Sequence, residues 1–212
     1  MIPKSDVGTR YVNLYKEIER LAATTGVLFY MEVGVFDGTR ALNLAKHLNE
    51  VAKNNCPMLY YGFDLFEDAD PARDAHEILK TKPAPACAEV YRKLWDSGEF
   101  NDVTLVRGNT RETLTRYARE PHPDRMDLVF IDGGHSLETI ESDWAAVQKI
   151  LLPGAVVLFD DYLEDRTDAG AKPLVDRLAQ DPEWAVKLLH PINHYPHTKI
   201  TTRIARVTRA KA

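Results

Sequence analysis

Two short stretches of the sequence hold most of the side chains that could do chemistry. Asp132 and His135 follow one apolar run, and Asp160 and Asp161 follow a second apolar run further along the chain. Carboxylates can hold a divalent cation, and a histidine beside them can take a proton from a reacting group near neutral pH. These residue types indicate a centre for cation binding or proton abstraction, provided that the fold brings them together.

The elements around these residues predict that they do come together. Residues 128–131 and 156–159 are apolar runs typical of parallel strands buried on both faces. Apolar residues recur between them at helical spacing, and Pro153-Gly154 is expected to end that helix. The stripe consists of Leu137, Ile140, Trp144, Val147 and Leu151. Since parallel strands bring their carboxyl ends to one edge of a sheet, we expect the three carboxylates and His135 in one crevice.

The rest of the chain alternates predicted strands and helices. Further strands are expected at 27–33, 58–63, 103–106, 184–189 and 201–207. Further helices are expected at 6–23 (capped by Ser5 or Asp6), 39–52, 111–119 and 168–178. This alternation predicts an α/β fold with a doubly wound sheet and helices on both faces.

Residues 65–101 interrupt this regular alternation. They contain several prolines and many charges, and short helices are expected at 72–80 and 86–97. A strand-to-helix connection usually takes about 2–6 residues, so this one is long. We interpret it as the crossover helix plus an inserted segment that could form a lid.

Length and composition indicate one domain over residues 1–212, with an N-terminal helix within 1–25. Hydrophobic residues make up 44% of the 212 residues, charged residues 28%, and the net charge is −5. This charge gives no reason to expect nucleic-acid or membrane binding, and no apolar run approaches the roughly 20 residues of a membrane span. Cys56 and Cys87 form no metal-type pair, and reduced thiols are typical of a cytoplasmic protein. We also expect no signal peptide from the first four residues.

A turn containing two glycines follows the first predicted strand. It lies in residues 32–40 (EVGVFDGTR) and places Gly34 and Gly38 between strand and helix. Glycines there let a ligand approach the backbone closely, although any strand-to-helix turn can carry two glycines. The usual dinucleotide fingerprint, Gly-x-Gly-x-x-Gly, is absent.

Polar residues also follow the next two predicted strands. Asp64 stands where an acid commonly binds ribose hydroxyls, and the alternative is a solvated loop acid. Gly108-Asn109-Thr110 follows the third strand. Asn109 suits either a contact to a base edge or a cap for the next helix.

Taken together, these positions resemble those of class I S-adenosylmethionine-dependent methyltransferases. The resemblance rests on Glu32-x-Gly34-x-x-x-Gly38, Asp64, Gly108-Asn109 and Asp132, and it covers nearly the whole chain from residue 27. A narrower group is similar in the block IDGGHS (131–136) with Asp143, then Pro153-Gly154 and Phe159-Asp160-Asp161. It contains the macrocin-type and mycinamicin-type sugar O-methyltransferases and a cephalosporin-biosynthesis protein once called a hydroxylase.

The resemblance implies a Rossmann-like, seven-stranded sheet of order 3-2-1-4-5-7-6 with the last strand antiparallel. It implies that Gly34 and Gly38 pack against the methionine part of S-adenosylmethionine, that Asp64 holds the ribose and that Asn109 lies near adenine. Relatives often have Asp at the position of Asn109. The cofactor-binding set assigned on this basis is Glu32, Gly34, Phe36, Asp37, Gly38, Thr39, Asp64, Asn109, Thr110 and Asp132.

The resemblance also implies a metal site. In the narrower group, acids matching Asp132, Asp160 and Asp161 bind a divalent metal, and a histidine matching His135 is the proposed base. We therefore expect Mg²⁺ or Mn²⁺ on these three acids, with His135 and Asp132 as catalytic residues. Glu is frequent at the position of Asp160, and the shorter Asp could weaken or re-aim that ligand. Arg or Lys partners could also relieve the repulsion among the carboxylates.

The predicted function is methyl transfer from S-adenosylmethionine to a hydroxyl of a small sugar-like, polyol or natural-product substrate, with metal assistance. Such an in-line displacement needs positioning and a good nucleophile, and a cation favours the alkoxide. The alternatives are a metal-independent methyltransferase with another acceptor, a non-haem iron oxygenase and a non-catalytic cofactor-binding protein. The expected partner is the small substrate, with neither nucleic acid nor membrane, and a homo-oligomer is left open.

Three further histidines, His190, His194 and His197, lie close together near the end of the chain. With His135 they raise the iron alternative, because such sites use two histidines and one carboxylate. Their spacing fits no compact metal motif, so a substrate-facing or exposed loop is the preferred interpretation.

Overall fold

The computed structural model describes residues 1–72, 74–75, 77, 85–121, 123–195 and 200–210. The strands are β1 (Leu28–Val33), β2 (Met58–Asp64), β3 (Asp102–Arg107), β4 (Met126–Ile131), β5 (Leu151–Leu163), β6 (Trp184–Leu188), β7 (Asn193–Tyr195) and β8 (Ile200–Arg209). The α-helices are α1 (Val12–Ala22), α2 (Thr39–Ala52), α3 (Cys87–Trp95), α4 (Thr110–Tyr117), α5 (Leu137–Val147) and α6 (Lys172–Leu178). No helix in these ranges is both long enough and apolar enough to cross a membrane.

The strands form one sheet in the order β3-β2-β1-β4-β5-β8-β6, and the short β7 pairs with β8. Strands β1 to β5 pair in parallel, whereas β8 runs antiparallel to both β5 and β6. This confirms the predicted doubly wound sheet with an antiparallel last strand. The strand β7 was not predicted, so the last strand is the eighth rather than the seventh. The strand order reverses between β1 and β4, which is where open α/β sheets bind ligands.

Two apolar layers hold the helices on opposite faces of the sheet, because successive strand side chains point to opposite faces. On one face, helices α1, α2 and α3 pack on residues such as Tyr30 and Leu128. On the other face, α4, α5 and α6 pack on residues such as Val129 and Phe159.

The beginning of α1 differs from the prediction. The helix starts at Val12 instead of residue 6, its N-cap is Tyr11 without a side-chain cap bond, and residues 4–11 form turns. Asp6 holds these turns instead, because its carboxylate accepts a hydrogen bond from the Tyr15 hydroxyl (2.7 Å). The turns carry Arg10 towards the carboxyl ends of β4 and β5.

The region after α5 was also predicted incorrectly. The helix ends at Val147, and Pro153-Gly154 lies within β5 instead of ending the helix. Leu151 pairs with Met126, and the register then shifts before Leu128 pairs with Val156. The Pro-Gly pair therefore forms an irregularity inside the strand. Leu137 is 37% exposed and is not a core residue.

The long segment after β2 contains a 3-10 turn at Phe66–Asp68 and the helix α3, which confirms the helix expected at 86–97. Most of the helix expected at 72–80 lies outside the described residues. The helix α6 begins at Lys172, later than the expected residue 168, because residues 165–171 form turns and bends.

Candidate active site at the carboxyl edge of the sheet

The turn after β1 rests directly on the turn after β4. Gly34 has φ +94°, and a Cβ atom added there would overlap the carbonyl group of Asp132. The two turns are also joined by the backbone N–H of Asp132, which donates to the carbonyl of Val33 (2.7 Å). Only glycine allows this close approach. Gly34 is therefore explained by backbone packing, and its identity alone does not indicate a ligand.

Gly38 has a similar packing role at the start of α2. It is the left-handed N-cap of that helix, with φ +71°. A Cβ atom there would lie 3.0 Å from Val90 and 3.1 Å from Leu94 of α3. The second glycine thus lets α3 pack against the turn. Phe36, between the two glycines, also has a positive φ of 54° and is 43% exposed.

Asp64, at the end of β2, fixes the glycine turn. Its Oδ2 accepts hydrogen bonds from the backbone N–H groups of Val35 (2.6 Å) and Phe36 (2.7 Å), and its Oδ1 accepts one from Phe66 (3.1 Å). A carboxylate has about four lone-pair sites, so these bonds leave capacity for hydroxyl donors. Asp64 is placed at the strand end where the sequence predicted a ribose-binding acid.

Glu32 lies beneath the turn rather than on its open side. The side chain is fully buried and accepts hydrogen bonds from the hydroxyls of Tyr30 (2.5 Å) and Tyr60 (2.9 Å). Burial raises the pKa of Glu32, and the bonds from the two tyrosines oppose this effect. Through these two hydrogen bonds Glu32 links the side chains of β1 and β2.

Asp37 and Thr39 form a small polar cluster at the start of α2. Asp37 accepts bonds from the backbone N–H (3.0 Å) and hydroxyl (2.6 Å) of Thr39, and Lys93 lies 3.2 Å from its carboxylate. Burial would raise the pKa of Asp37, but these Thr39 and Lys93 bonds outweigh it and lower the pKa. The cluster joins the turn to α3.

Asn109 is the N-cap of α4. Its side-chain oxygen accepts a hydrogen bond from the backbone N–H of Arg111 (3.0 Å). The cap alternative for Asn109 is thus confirmed, while a contact with adenine stays a prediction. Thr110 is mostly buried and faces Asp143 of α5.

The expected convergence of acids is present at the ends of β4 and β5. Ile131 pairs with Phe159, so Asp132 after β4 is a neighbour of Asp160 and Asp161. These two acids were expected to follow the strand, but they lie within β5, where its pairing with β8 is irregular. Atoms of Asp132, His135 and Asp161 that could hold a metal ion all lie within 4.8 Å of one another. These residues and Asp160 line a cavity of about 10 Å³, which is roughly the room for one water molecule or ion.

His135 and Asp161 form a hydrogen-bonded pair. Nε2 of His135 lies 2.8 Å from Oδ2 of Asp161. Burial would lower the pKa of His135, but the Asp161 carboxylate outweighs it and raises the pKa. Burial likewise would raise the pKa of Asp161, and His135 with Arg10 instead keeps that pKa low. Asp161 also has a positive φ of 50°, a strained conformation of the kind found at functional sites.

Asp132 forms an ion pair with Arg40, which lies in α2 directly after the glycine turn. The Nη1 atom of Arg40 lies 2.6 Å from Oδ2 of Asp132, and the Arg40 guanidinium stacks over the Tyr11 ring at 4.2 Å. Burial and the neighbouring Asp160 raise the pKa of Asp132, while Arg40 opposes this rise. Arg40 thus links α2, the acidic centre and the N-terminal segment.

Asp160 is held by Arg10. Nη2 of Arg10 lies 2.7 Å from Oδ2 of Asp160, and Nε of Arg10 bonds the other carboxylate oxygen. The Tyr11 hydroxyl donates to Oδ2 of Asp160 as well (3.1 Å). The Asp160 side chain is 0% exposed and that of Arg10 is 5% exposed. Sequence reasoning missed Arg10, which lies 150 positions from Asp160 and in no motif.

Glu77, from the inserted segment, binds the turn that carries His135. Its Oε2 accepts hydrogen bonds from the backbone N–H groups of His135 (2.6 Å) and Ser136 (2.7 Å). Its Oε1 accepts bonds from the hydroxyls of Ser136 (3.0 Å) and Thr139 (2.5 Å). Burial would raise the pKa of Glu77, but these bonds outweigh it and lower the pKa. Glu77 was not singled out from the sequence.

The histidines near the end of the chain do not join this centre. His190 is exposed, and His194 on β7 contacts the hydroxyl of Thr201 (3.0 Å). Neither belongs to the metal-compatible group found among the described residues. His197 lies outside the described residues.

The donor set fits a divalent metal in part. Asp132 and Asp161 place carboxylate oxygens around the small cavity with His135, which suits a hard cation. Both oxygens of Asp160 are already bonded to Arg10. Asp132 is paired with Arg40 through Oδ2, so a cation at Asp132 would compete with an arginine for one oxygen, whereas at Asp160 it would compete for both.

Several solved structures have a similar fold. The O-methyltransferase NovP matches with a TM-score of 0.67 at 19% identity, covering 95% of this chain and 80% of that chain. TomG, an O-methyltransferase from Streptomyces achromogenes solved in complex with S-adenosylmethionine, matches with a TM-score of 0.64 at 16% identity, over 94% of this chain and 80% of that one. CalS11, a calicheamicin methyltransferase, matches with a TM-score of 0.61 at 22% identity, over 97% and 80%.

Sequence comparison identifies the family. An uncharacterized protein of Acanthamoeba polyphaga mimivirus, R132, is 30% identical over 84 residues, which are 36% of this chain and only 38% of that protein. A family model described as a methyltransferase domain matches residues 31–162, more than half of the chain. The predicted resemblance to class I methyltransferases is thereby confirmed in family and fold, and the chain belongs to the methyltransferase domain family.

Proposed function

We propose that this protein is an S-adenosylmethionine-dependent O-methyltransferase that uses His135 as its base. The observation that carries the proposal is the contact between the two turns, in which Gly34 packs on the backbone of Asp132. It puts the turn expected to bind the cofactor beside the centre that holds His135 and Asp161. TomG and NovP, which share the fold, are O-methyltransferases, and TomG was solved with S-adenosylmethionine.

The cofactor would lie over the glycine turn, at the point where the strand order reverses. Asp64 is the acid at the end of β2 and would accept hydrogen bonds from the ribose hydroxyls. Asn109 and Thr110, after β3, would border the adenine ring. Glu32, Asp37 and Thr39 support the turn through the hydrogen bonds described above.

The acceptor hydroxyl would stand beside His135. With Nε2–H of the neutral ring donated to Asp161, Nδ1 is the nitrogen that can accept the hydroxyl proton. S-adenosylmethionine, when bound, would supply the methyl group from its sulfonium sulfur to the acceptor oxygen and would be released as S-adenosylhomocysteine. Asp161 orients the ring and stabilises its protonated form.

Asp132 and Asp161 would hold Mg²⁺ or Mn²⁺ beside this base. When bound, such a cation would stabilise the negative charge that develops on the acceptor oxygen. The alternative is a metal-independent methyltransferase, and the ion pairs of Arg10 and Arg40 with two of the carboxylates favour it. The effect of a chelator on turnover separates these possibilities.

The acceptor class rests on similarity alone. We propose a small hydroxylated substrate of the sugar-like, polyol or natural-product kind, since a solved structure of CalS11 describes it as a TDP-rhamnose 3'-O-methyltransferase. That match has a TM-score of 0.55 at 23% identity, over 97% of this chain. A cytoplasmic location is proposed with it.

Calorimetry with S-adenosylmethionine and S-adenosylhomocysteine tests the cofactor assignment. Asp64→Ala should weaken binding by about 1–3 kcal/mol, because charge-assisted hydrogen bonds are lost. Asp102→Asn, at the opposite end of the parallel strands, should bind as the wild type does. An unchanged affinity of Asp64→Ala for the cofactor would refute the assignment of the cofactor site to this strand end. Gly34 is unsuitable for this test, since any side chain there meets the Asp132 backbone.

A further inference from the structure

The pairing of Asp160 with Arg10 bears on how a metal could be held. The guanidinium binds both carboxylate oxygens of Asp160, in the bidentate geometry that makes such pairs strong. The Tyr11 hydroxyl donates a further hydrogen bond to Oδ2 of Asp160. A metal ion at Asp160 would have to displace these donors inside a buried site.

Arg10 is itself fixed in place by other contacts. Its backbone N–H donates to the side-chain oxygen of Asn193 (2.8 Å), and its guanidinium stacks on the Tyr11 ring at 4.6 Å. Its Nη2 atom also lies 3.4 Å from Asp161. Freeing Asp160 would therefore break both of its hydrogen bonds to Arg10 inside a buried site, and breaking a buried ion pair is strongly unfavourable.

The acids at this centre differ in what they face. Both carboxylate oxygens of Asp160 are directed to Arg10. Asp132 and Asp161, in contrast, lie within 4.8 Å of His135 around the cavity.

We infer that Arg10 takes the place of a metal at Asp160, so that the carboxylate ligands of the cation site, among the residues the structure describes, are Asp132 and Asp161. The inference builds on the metal site of the proposed function. Arg10 then supplies a fixed positive charge on one side of the centre, and the exchangeable cation is confined to the other side.

The test is Mn²⁺ binding to the purified protein of residues 1–212, followed by electron paramagnetic resonance and calorimetry without cofactor or substrate. Asp161→Asn should weaken Mn²⁺ binding by about 10- to 100-fold, the range found when metal sites lose supporting groups, while Asp160→Asn should change it little. Arg10→Met should tighten binding, because it frees the Asp160 carboxylate. The double variant Arg10→Met/Asp160→Asn should return to the wild-type affinity.

Two results would overturn the inference. One is a loss of Mn²⁺ affinity in Asp160→Asn as large as that in Asp161→Asn. The other is an Arg10→Met affinity no tighter than that of the wild type. If Arg10→Met does not fold, as judged by circular dichroism, Arg10→Lys replaces it, since a single ammonium frees one oxygen of Asp160.

The same data separate this inference from the proposed function. A wild type that binds no Mn²⁺ while Arg10→Met binds it would overturn the site of Asp132 and Asp161 and the metal assistance of the proposed function. Absence of binding in both would refute metal assistance and the inference alike, and neither outcome affects the calorimetry with S-adenosylmethionine.

Discussion

Asp143 gives a prediction about stability that is independent of the active site. It lies in α5, is 1% exposed, and neither carboxylate oxygen has a hydrogen-bond partner among the described residues. The Thr110 side chain approaches Asp143 from α4 without reaching hydrogen-bond geometry, and it opposes part of the rise in the pKa of Asp143 that burial causes. Burial therefore raises the pKa of Asp143 from 3.8 to about 7.

The sign of the effect follows from proton linkage. The folded state binds the Asp143 proton more tightly than the unfolded state, so stability falls as the pH rises from 3.8 towards 7 and stays low above that pH. Each pKa unit corresponds to about 1.4 kcal/mol, and about two units lie above pH 5. We expect a cost of about 2–3 kcal/mol between pH 5 and pH 8 in the wild type.

Asp143→Asn should remove this cost, because an amide does not ionise. In urea unfolding followed by circular dichroism, the variant should gain about 2–3 kcal/mol over the wild type on going from pH 5 to pH 8. Glu138→Gln, an exposed position on the same helix, is the control and should show no comparable gain. An equal difference between Asp143→Asn and wild type at both pH values would refute the assignment of a buried, unpaired carboxyl.

Three further predictions concern the active site. With an acceptor in hand, His135→Gln should reduce the methyl-transfer rate by about 10²- to 10⁴-fold with unchanged cofactor affinity, and His194→Gln should not. In the same assay, chelator should abolish turnover and Mg²⁺ restore it, whereas full turnover in chelator would favour the metal-independent alternative. Glu77→Ala should destabilise the turn by about 1–3 kcal/mol, seen as faster hydrogen exchange in a peptide spanning 135–139, and Glu77→Gln should have a smaller effect. Exchange that stays as slow in Glu77→Ala as in the control Glu89→Ala would contradict this role.

The sheet and the meeting of the acids could be predicted because they depend on local patterns. Apolar runs mark β4 and β5, and parallel pairing then places whatever follows them, here Asp132 and Asp161, at one edge. The strand β7 was not predicted, because a strand of three residues is too short to show an alternation of apolar and polar side chains.

The partners of the acids could not be predicted, because they come from distant parts of the chain. Arg10 and Glu77 lie in irregular segments, and nothing in their local sequence shows which carboxylate or amide they will meet. The glycines were predicted as ligand contacts, yet their close neighbours in the structure are the Asp132 backbone and the α3 side chains. A glycine shows that space is needed but not what fills it.

The N-terminal turn also bears on where the working unit of this protein begins. The family match covers residues 31–162, so a fragment cut to the matched region would keep the second half of β1, β2 to β4 and all three acids. It would lose Arg10 and Tyr11, and with them the donors that surround Asp160. The region that the family model matches is thus shorter than the region needed to balance the charge of Asp160, because the counter-charge of this buried carboxylate comes from Arg10.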